Sequence, residues 1–263
     1  MIAMSEVFTN TAKARLKKGE KLTAAWVQLG SPIAAEIMAQ AGYDMLVVDC
    51  EHAPIDPSTL FPILQAVNGY ETTAIARAPW NDMVAIKRLL DCGAKGIHVP
   101  YVNSKEEAMR AVAACKYPPV GNRGIAGSPR AAGYGKNRQR YLHRANDEVL
   151  VILAIETPMG LANLDEMLEV EGVDGFFIGP MDYSTSSGHF ANPSHPDVQA
   201  DFRKIEEKVL SKNLLLGTVA GNVESAKKLY DRGYSYVIFG GDINSLVSDA
   251  YRRIEDMKAL MDK

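Results

Sequence analysis

Eight short apolar runs, separated by amphipathic stretches of helix length, most limit the folds open to this chain: TAAWVQLG, DMLVVDCEH, TTAIARAP, GIHVPYV, VLVILAIET, GFFIGP, LLLGTVAG and YVIFGGD. Their apolar residues are continuous, as in parallel strands covered on both faces, where strict alternation would mark a half-exposed sheet. Strands alternating with helices specify a parallel sheet with right-handed crossovers. A count of eight predicts closure into an α/β TIM (β/α)8 barrel, with an open doubly wound sheet as the other arrangement. At 263 residues the chain suits one such barrel, whose usual size is about 250, and residues 1–263 are read as a single domain.

The helices between the runs carry legible ends. Ser31 is placed to cap a helix that begins at Pro32, and Ser104 with Glu107 has capping-box spacing. Asn81 opens NDMVAIKRLLDCG and Gly93 closes it. A helix at about residues 6–18 precedes the first run, and SLVSDAYRRIEDMKALMDK follows the eighth. The long irregular stretch runs from Pro118 to Glu148. Its arginines and glycines fit a lid over an anionic substrate, a subunit contact or a solvated excursion.

Composition narrows the partners. Apolar residues make up 47%, enough for a sizeable core, and the net charge of −3 gives no reason to expect a nucleic-acid partner. Cys50, Cys92 and Cys115 form no paired framework and no CxxC, and are read as reduced core thiols of a cytoplasmic protein. The first residues lack a long apolar signal region, and no stretch approaches the roughly 18 apolar residues of a membrane span.

Barrel enzymes carry their reactive groups where strands end. The first run offers Trp26 and Gln28, the second ends in Asp49, Glu51 and His52, the third in Arg77, the fifth in Glu156, and the sixth passes through Gly179, Pro180 and Met181 into Asp182. Glu156 and Asp182 approach one site from neighbouring strands, where they repel each other unless a hard divalent cation such as Mg²⁺ or Mn²⁺ lies between them. His52 is a candidate acid/base, with either Asp49 or Glu51 as the carboxylate that orients its ring. Arg77 presents a fixed fork of donors to a developing oxyanion or a carboxylate. The turn GPMD offers backbone amides to a substrate carboxylate. His98 is read as packing, and His143, His189 and His195 fall in loops. Lys95 lies before the fourth strand, at the wrong end of a barrel for an imine-forming aldolase.

Through VVDCEHAP, ARAPWND, YPPVGNRG, AIETPMGLANLDE and GFFIGPMDYSTSSG the sequence resembles the HpcH/HpaI aldolase family over most of its length, with the motifs in order. Among its members, aldolases acting on 4-hydroxy-2-oxoheptanedioate, 2-dehydro-3-deoxyglucarate and 2-keto-3-deoxy-L-rhamnonate are similar. The resemblance implies a barrel of the phosphoenolpyruvate/pyruvate type. It implies a divalent metal (Mg²⁺, Mn²⁺ or Co²⁺) held by Glu156 and Asp182, chelated by pyruvate, with an aldehyde as the other product. It also implies His52 as acid/base supported by Asp49, and Arg77 at the keto oxygen. Trp26, Gly179, Pro180, Met181 and Asp182 would line the substrate, in a hexamer, a trimer of dimers, that exchanges C-terminal helices. Three features depart from the family pattern: Ala154 where glutamine is common, Tyr183 where leucine is frequent, and the loop GIAGSPRAAGYG.

Other readings each require something specific. An acyl-CoA lyase of the citrate lyase or malyl-CoA type needs a basic, adenine-sized groove, of which the sequence has no clear sign. A phosphoenolpyruvate mutase-like enzyme would bind phosphate at Gly240 and Gly241. A non-catalytic ligand-binding barrel would have no use for the reactive strand ends.

Overall fold

The computed structural model describes residues 9–261. The eight runs form β1 (Leu22–Val27), β2 (Met45–Asp49), β3 (Thr73–Arg77), β4 (Gly96–Val99), β5 (Leu150–Ile155), β6 (Gly175–Ile178), β7 (Leu215–Val219) and β8 (Tyr236–Gly241). All pair in parallel with their sequence neighbours, and β8 pairs with β1 to close the barrel.

Because side chains alternate along a strand, each run supplies two cores. Ala24, Met45, Val47, Ile75, Ile152, Ala154, Phe177, Tyr236 and Ile238 fill the barrel. Their neighbours, such as Leu46, Val48, Ala76, Ile97, Val151 and Leu153, belong to the outer core with the helices. Burial on both faces explains why the runs lack polar alternation. Helix α1 (Thr11–Lys17) plugs the amino-terminal mouth with Ala12 and Leu16. Beside it the Lys13 ammonium donates to the carbonyl of Val149 (2.8 Å) and to Asp174 (2.9 Å).

Outside the barrel lie α2 (Pro32–Gln40), α3 (Pro57–Ala66), α4 (Met83–Cys92), α5 (Lys105–Cys115), α6 (Arg138–Glu148), α7 (Pro158–Ala162), α8 (Leu164–Met167), α9 (Pro180–Ser186), α10 (Pro196–Ser211), α11 (Val223–Asp231) and α12 (Asp242–Met261). Ser31 caps α2 through the amide of Ala34, and Ser104 caps α5 through that of Glu107. The cap of α4 is Asp82, whose carboxylate reaches the Ala85 amide, and not Asn81, whose side chain instead donates to the Glu107 carbonyl. Gly93 ends α4 in the left-handed region, at φ 106°. The helix expected at residues 6–18 is α1, and residues 6–8 lie outside the described residues.

The stretch from Pro118 to Glu148 is neither wholly irregular nor a lid. It contains α6, and two of its arginines, Arg123 and Arg130, face the amino-terminal end of the barrel. Arg130 donates to the carbonyls of Cys92 (3.0 Å) and Leu64 (2.9 Å), at the last turns of α4 and α3. Arg123 is buried against Asp91 (2.7 Å) and the Tyr117 ring (4.5 Å). Arg130 therefore meets the last carbonyls of two helices, and Arg123 pairs with a carboxylate in the last turn of α4, both with the barrel between them and the mouth that bears the reactive strand ends.

Cys50 and Cys115 are buried, and burial pushes both thiols up to about 12. Among the described residues no helix is long and apolar enough to cross a membrane.

Candidate active site

The carboxyl ends of the strands bring the polar residues together. Asp49 and Arg77 are register partners on β2 and β3, so their side chains enter the same mouth side by side. Arg77 Nε donates to Asp49 Oδ1 (3.0 Å) and Nη2 to Oδ2 (2.7 Å). The same Nε lies 3.3 Å from Glu51 Oε2, and the guanidinium stacks 4.3 Å from the Trp26 ring centroid. A guanidinium held by two carboxylates and an aromatic face has a fixed plane. Burial alone would raise the Asp49 carboxyl, but Arg77's hydrogen bonds and charge hold it at about 2. Asp242, at the end of β8, accepts the amides of Gln28 (2.9 Å) and Leu29 (3.0 Å), and the Gln28 side chain donates to Asp49 (2.9 Å).

His52 lies beyond the strand, with its side chain 55% exposed at the rim. Asp49 does not orient its ring. The carboxylate is occupied by Arg77, and from His52 it accepts the backbone amide, at 3.1 Å, and not the ring. The carboxylate nearest the imidazole is Glu51, with Oε2 3.7 Å from Nε2. The cause is register: Asp49 is the last residue of β2 and points inward at its β3 partner, while His52 follows the turn outward.

Glu156 and Asp182 both accept from Tyr101 and feel each other's charge. Tyr101, just past β4, donates its amide to Glu156 Oε2 (2.8 Å) and its hydroxyl to Asp182 Oδ1 (3.1 Å). Tyr101 adopts φ 51°, the left-handed region, which costs a residue with a side chain on the order of 1 kcal/mol. That conformation aims the amide at Glu156. The requirement for Tyr101 is invisible in the sequence, since a tyrosine following His-Val-Pro reads only as the end of an apolar run. Its ring stacks on exposed Trp80, centroids 6.0 Å apart.

Gly179 has a specific reason to lack a side chain: a Cβ there would lie 2.5 Å from Glu156 Oε1. Pro180 then opens α9 without a side-chain cap, leaving first-turn amides at Met181 and Asp182. Met181 is exposed at the rim.

The electrostatics are unbalanced. Asp49 and Glu51 contact the Arg77 guanidinium, and Glu156 and Asp182 lie within electrostatic reach of Glu51. Burial, reinforced by the other carboxylates and opposed by Arg77, raises Glu51 to about 7. Glu156 is likewise raised to about 7 by burial and by the charges of Glu51 and Asp182, against the pull of the Tyr101 amide. Glu51 Oε2 is buried without a hydrogen bond. Carboxylates clustered beyond the available positive charge make a site suited to a divalent cation with oxygen ligands.

The remaining candidates stand apart. His98 is packed between Trp26 and Phe177 inside the barrel, and burial lowers it to about 3, so it is a neutral packing residue. The space Gly240 leaves is taken by Tyr43, whose hydroxyl would be 2.3 Å from a Cβ there. Of the departures from the family pattern, Ala154 packs inside the barrel, and Tyr183 ties α9 to α10 through a hydrogen bond to Asp201 (2.9 Å) and ring contact with Phe202.

The family described as HpcH/HpaI aldolase/citrate lyase matches residues 22–249. A 4-hydroxy-2-oxo-heptane-1,7-dioate aldolase of Klebsiella pneumoniae is 40% identical over 241 residues, 92% of this chain and 91% of that protein. A 5-keto-4-deoxy-D-glucarate aldolase of Salmonella paratyphi A is 37% identical over 252 residues, 96% of this chain and 98% of that one. In structure, an HpcH/HpaI aldolase/citrate lyase family protein from Burkholderia cenocepacia superposes with a TM-score of 0.91 at 32% identity, covering 95% of this chain and 100% of that chain.

Proposed function

This chain belongs to the HpcH/HpaI aldolase/citrate lyase family, and from that premise we propose that it is a metal-dependent aldolase cleaving a 4-hydroxy-2-oxo acid to pyruvate and an aldehyde. The observation that carries the reading is that Glu156 and Asp182 both accept hydrogen bonds from Tyr101 and that Glu156 feels the charges of Asp182 and Arg77.

Glu156 and Asp182 are the residues that would hold a divalent cation, with Gly179 leaving room for the Glu156 carboxylate. Bound there, the cation supplies Lewis-acid polarisation of the 2-oxo group. The protein does the rest. Arg77, its plane fixed by Asp49 and Trp26, places positive charge where the 2-oxo oxygen becomes negative. The amides of Met181 and Asp182 at the start of α9 face the substrate carboxylate. His52 takes the proton from the 4-hydroxyl as the C3–C4 bond breaks. The electron pair moves toward the oxygen facing Arg77, the aldehyde departs, and C3 then gains a proton to give pyruvate. Exposure of His52 at the rim suits a group that must meet substrate, and Glu51 is the neighbouring carboxylate able to stabilise its protonated form. Asp49 positions Arg77 in this scheme.

The assay is pyruvate release from a panel of 4-hydroxy-2-oxo acids, with Mg²⁺, Mn²⁺ or Co²⁺ and with or without chelator. Metal-dependent release abolished in Glu156→Gln and Asp182→Asn is expected. Release that survives both substitutions and chelation would refute the assignment. His52→Ala should lower turnover while calorimetric Mg²⁺ binding is retained.

A further inference from the structure

We propose that His189, His195 and Asp197 form a second cation site that takes a borderline transition metal such as Zn²⁺, Co²⁺ or Ni²⁺ and shares no residue with the Glu156 and Asp182 pair. His189 lies in the loop after α9, His195 is the residue before α10, and Asp197 is in its first turn. One potential ligand atom from each lies within 4.8 Å of the others. Asp197 Oδ2 is 3.8 Å from His189 Nε2 and 3.7 Å from His195 Nδ1. Ligand atoms of a tetrahedral zinc site with nitrogen and oxygen donors stand about 3.4 Å apart. Closing these two edges takes a few tenths of an ångström, and the His189–His195 edge, within 4.8 Å, takes up to about 1.4 Å, both by side-chain rotation.

The imidazoles do more than cap a helix. His195 Nδ1 accepts the Asp197 amide at 3.3 Å, a long bond that accounts for His195 alone. It does not account for His189, whose ring stacks on His195 with centroids 3.6 Å apart at 19° and whose Nε2 faces the same carboxylate. A neutral imidazole has one ring nitrogen with a lone pair to give a cation. The scaffold is already formed: the His189 amide donates to Ser184 O (2.8 Å), Asn192 to His189 O (3.0 Å) and His195 to Asn192 O (3.2 Å). Two imidazoles and a carboxylate select borderline ions, whereas the oxygen-only set of Glu156 and Asp182 suits hard ones. A cation here would tie the loop after α9, the helix that carries Asp182, to the start of α10.

The test uses the full-length protein stripped of metal, with Zn²⁺ and Co²⁺ as probes, counted by equilibrium dialysis. Cobalt is also followed by its visible absorption. In Glu156→Gln/Asp182→Asn, one Zn²⁺ per chain should remain, undisplaced by excess Mg²⁺. Adding His189→Ala or His195→Asn to that background should weaken Zn²⁺ binding by roughly tenfold or more. Asparagine at 195 keeps a helix cap, which guards against a mere folding defect. His189→Ala alone should leave Mg²⁺-supported pyruvate release unchanged. Absence of Zn²⁺ binding in the double variant, or binding indifferent to both histidine changes, would overturn the proposal. Mg²⁺ binding to the wild type reads the barrel mouth independently.

Discussion

A methyl group at residue 179 has nowhere to go, because the carboxylate of Glu156 occupies the space. Gly179→Ala should therefore push that carboxylate away from Tyr101 and Asp182. Mg²⁺ affinity and pyruvate release should fall by about tenfold or more, with little change in melting temperature, as calorimetric titration and thermal unfolding will report. Glu156 itself illustrates strain kept for function. Its carboxyl titrates near 7 in the folded, metal-free protein against an ordinary 4.5. A raised folded value contributes stability that is complete below about 4.5 and is lost as pH rises through about 7. Glu156→Gln should thus stabilise the metal-free protein at pH 8 by on the order of 1 kcal/mol, while abolishing activity. A melting temperature lower than that of wild type at pH 8 would contradict this. The same titration opposes metal binding in acid, so Mg²⁺ affinity should weaken as pH drops below about 7.

At the scale of elements, Arg130 separates a structural excursion from a lid. Its guanidinium serves the last carbonyls of α3 and α4. Arg130→Ala should therefore lower stability by roughly 1–3 kcal/mol, seen as a lower denaturation midpoint, with the KM for substrate unchanged. A raised KM at constant stability would restore the lid. The strands were legible because each run is buried on two faces, and that is written directly in residue type. Helix α6 was not, since RQRYLHRANDE buries only Ala145 and presents no apolar stripe. Arg77, Glu156 and Asp182 were legible because a charged residue ending a buried run has few reasons to be there. Tyr101 was not, because its part is played by a backbone amide and an unusual φ, neither of which a side-chain alphabet displays. The orientation of Asp49 toward Arg77 depended on the register between β2 and β3, which is also absent from either strand alone.

For the whole molecule, α12 presents an apolar stripe that the rest of the described chain leaves exposed. Its 20 residues would span about 30 Å, and Asp242 is the residue it buries. Leu246, Val247, Tyr251, Ile254, Met257, Leu260 and Met261 are exposed, spaced so that most fall on one side of the helix. Nearby α2 exposes Ile33 and Ile37. A helix of this length gains little stability by itself in water and relies on packing its apolar side. Such a surface, continuous over several turns, is what an oligomer covers. A second copy of this chain is the occupant that the family resemblance implies, through exchange of C-terminal helices in a hexamer. Ile254→Lys/Met257→Lys places two ammonium groups on the stripe without touching the barrel. The mass measured by light scattering should then fall from that of an assembly toward that of one chain, with the barrel's circular dichroism retained. If the wild type already runs as one chain, or the substitutions leave its mass unchanged, α12 is not the element that joins subunits.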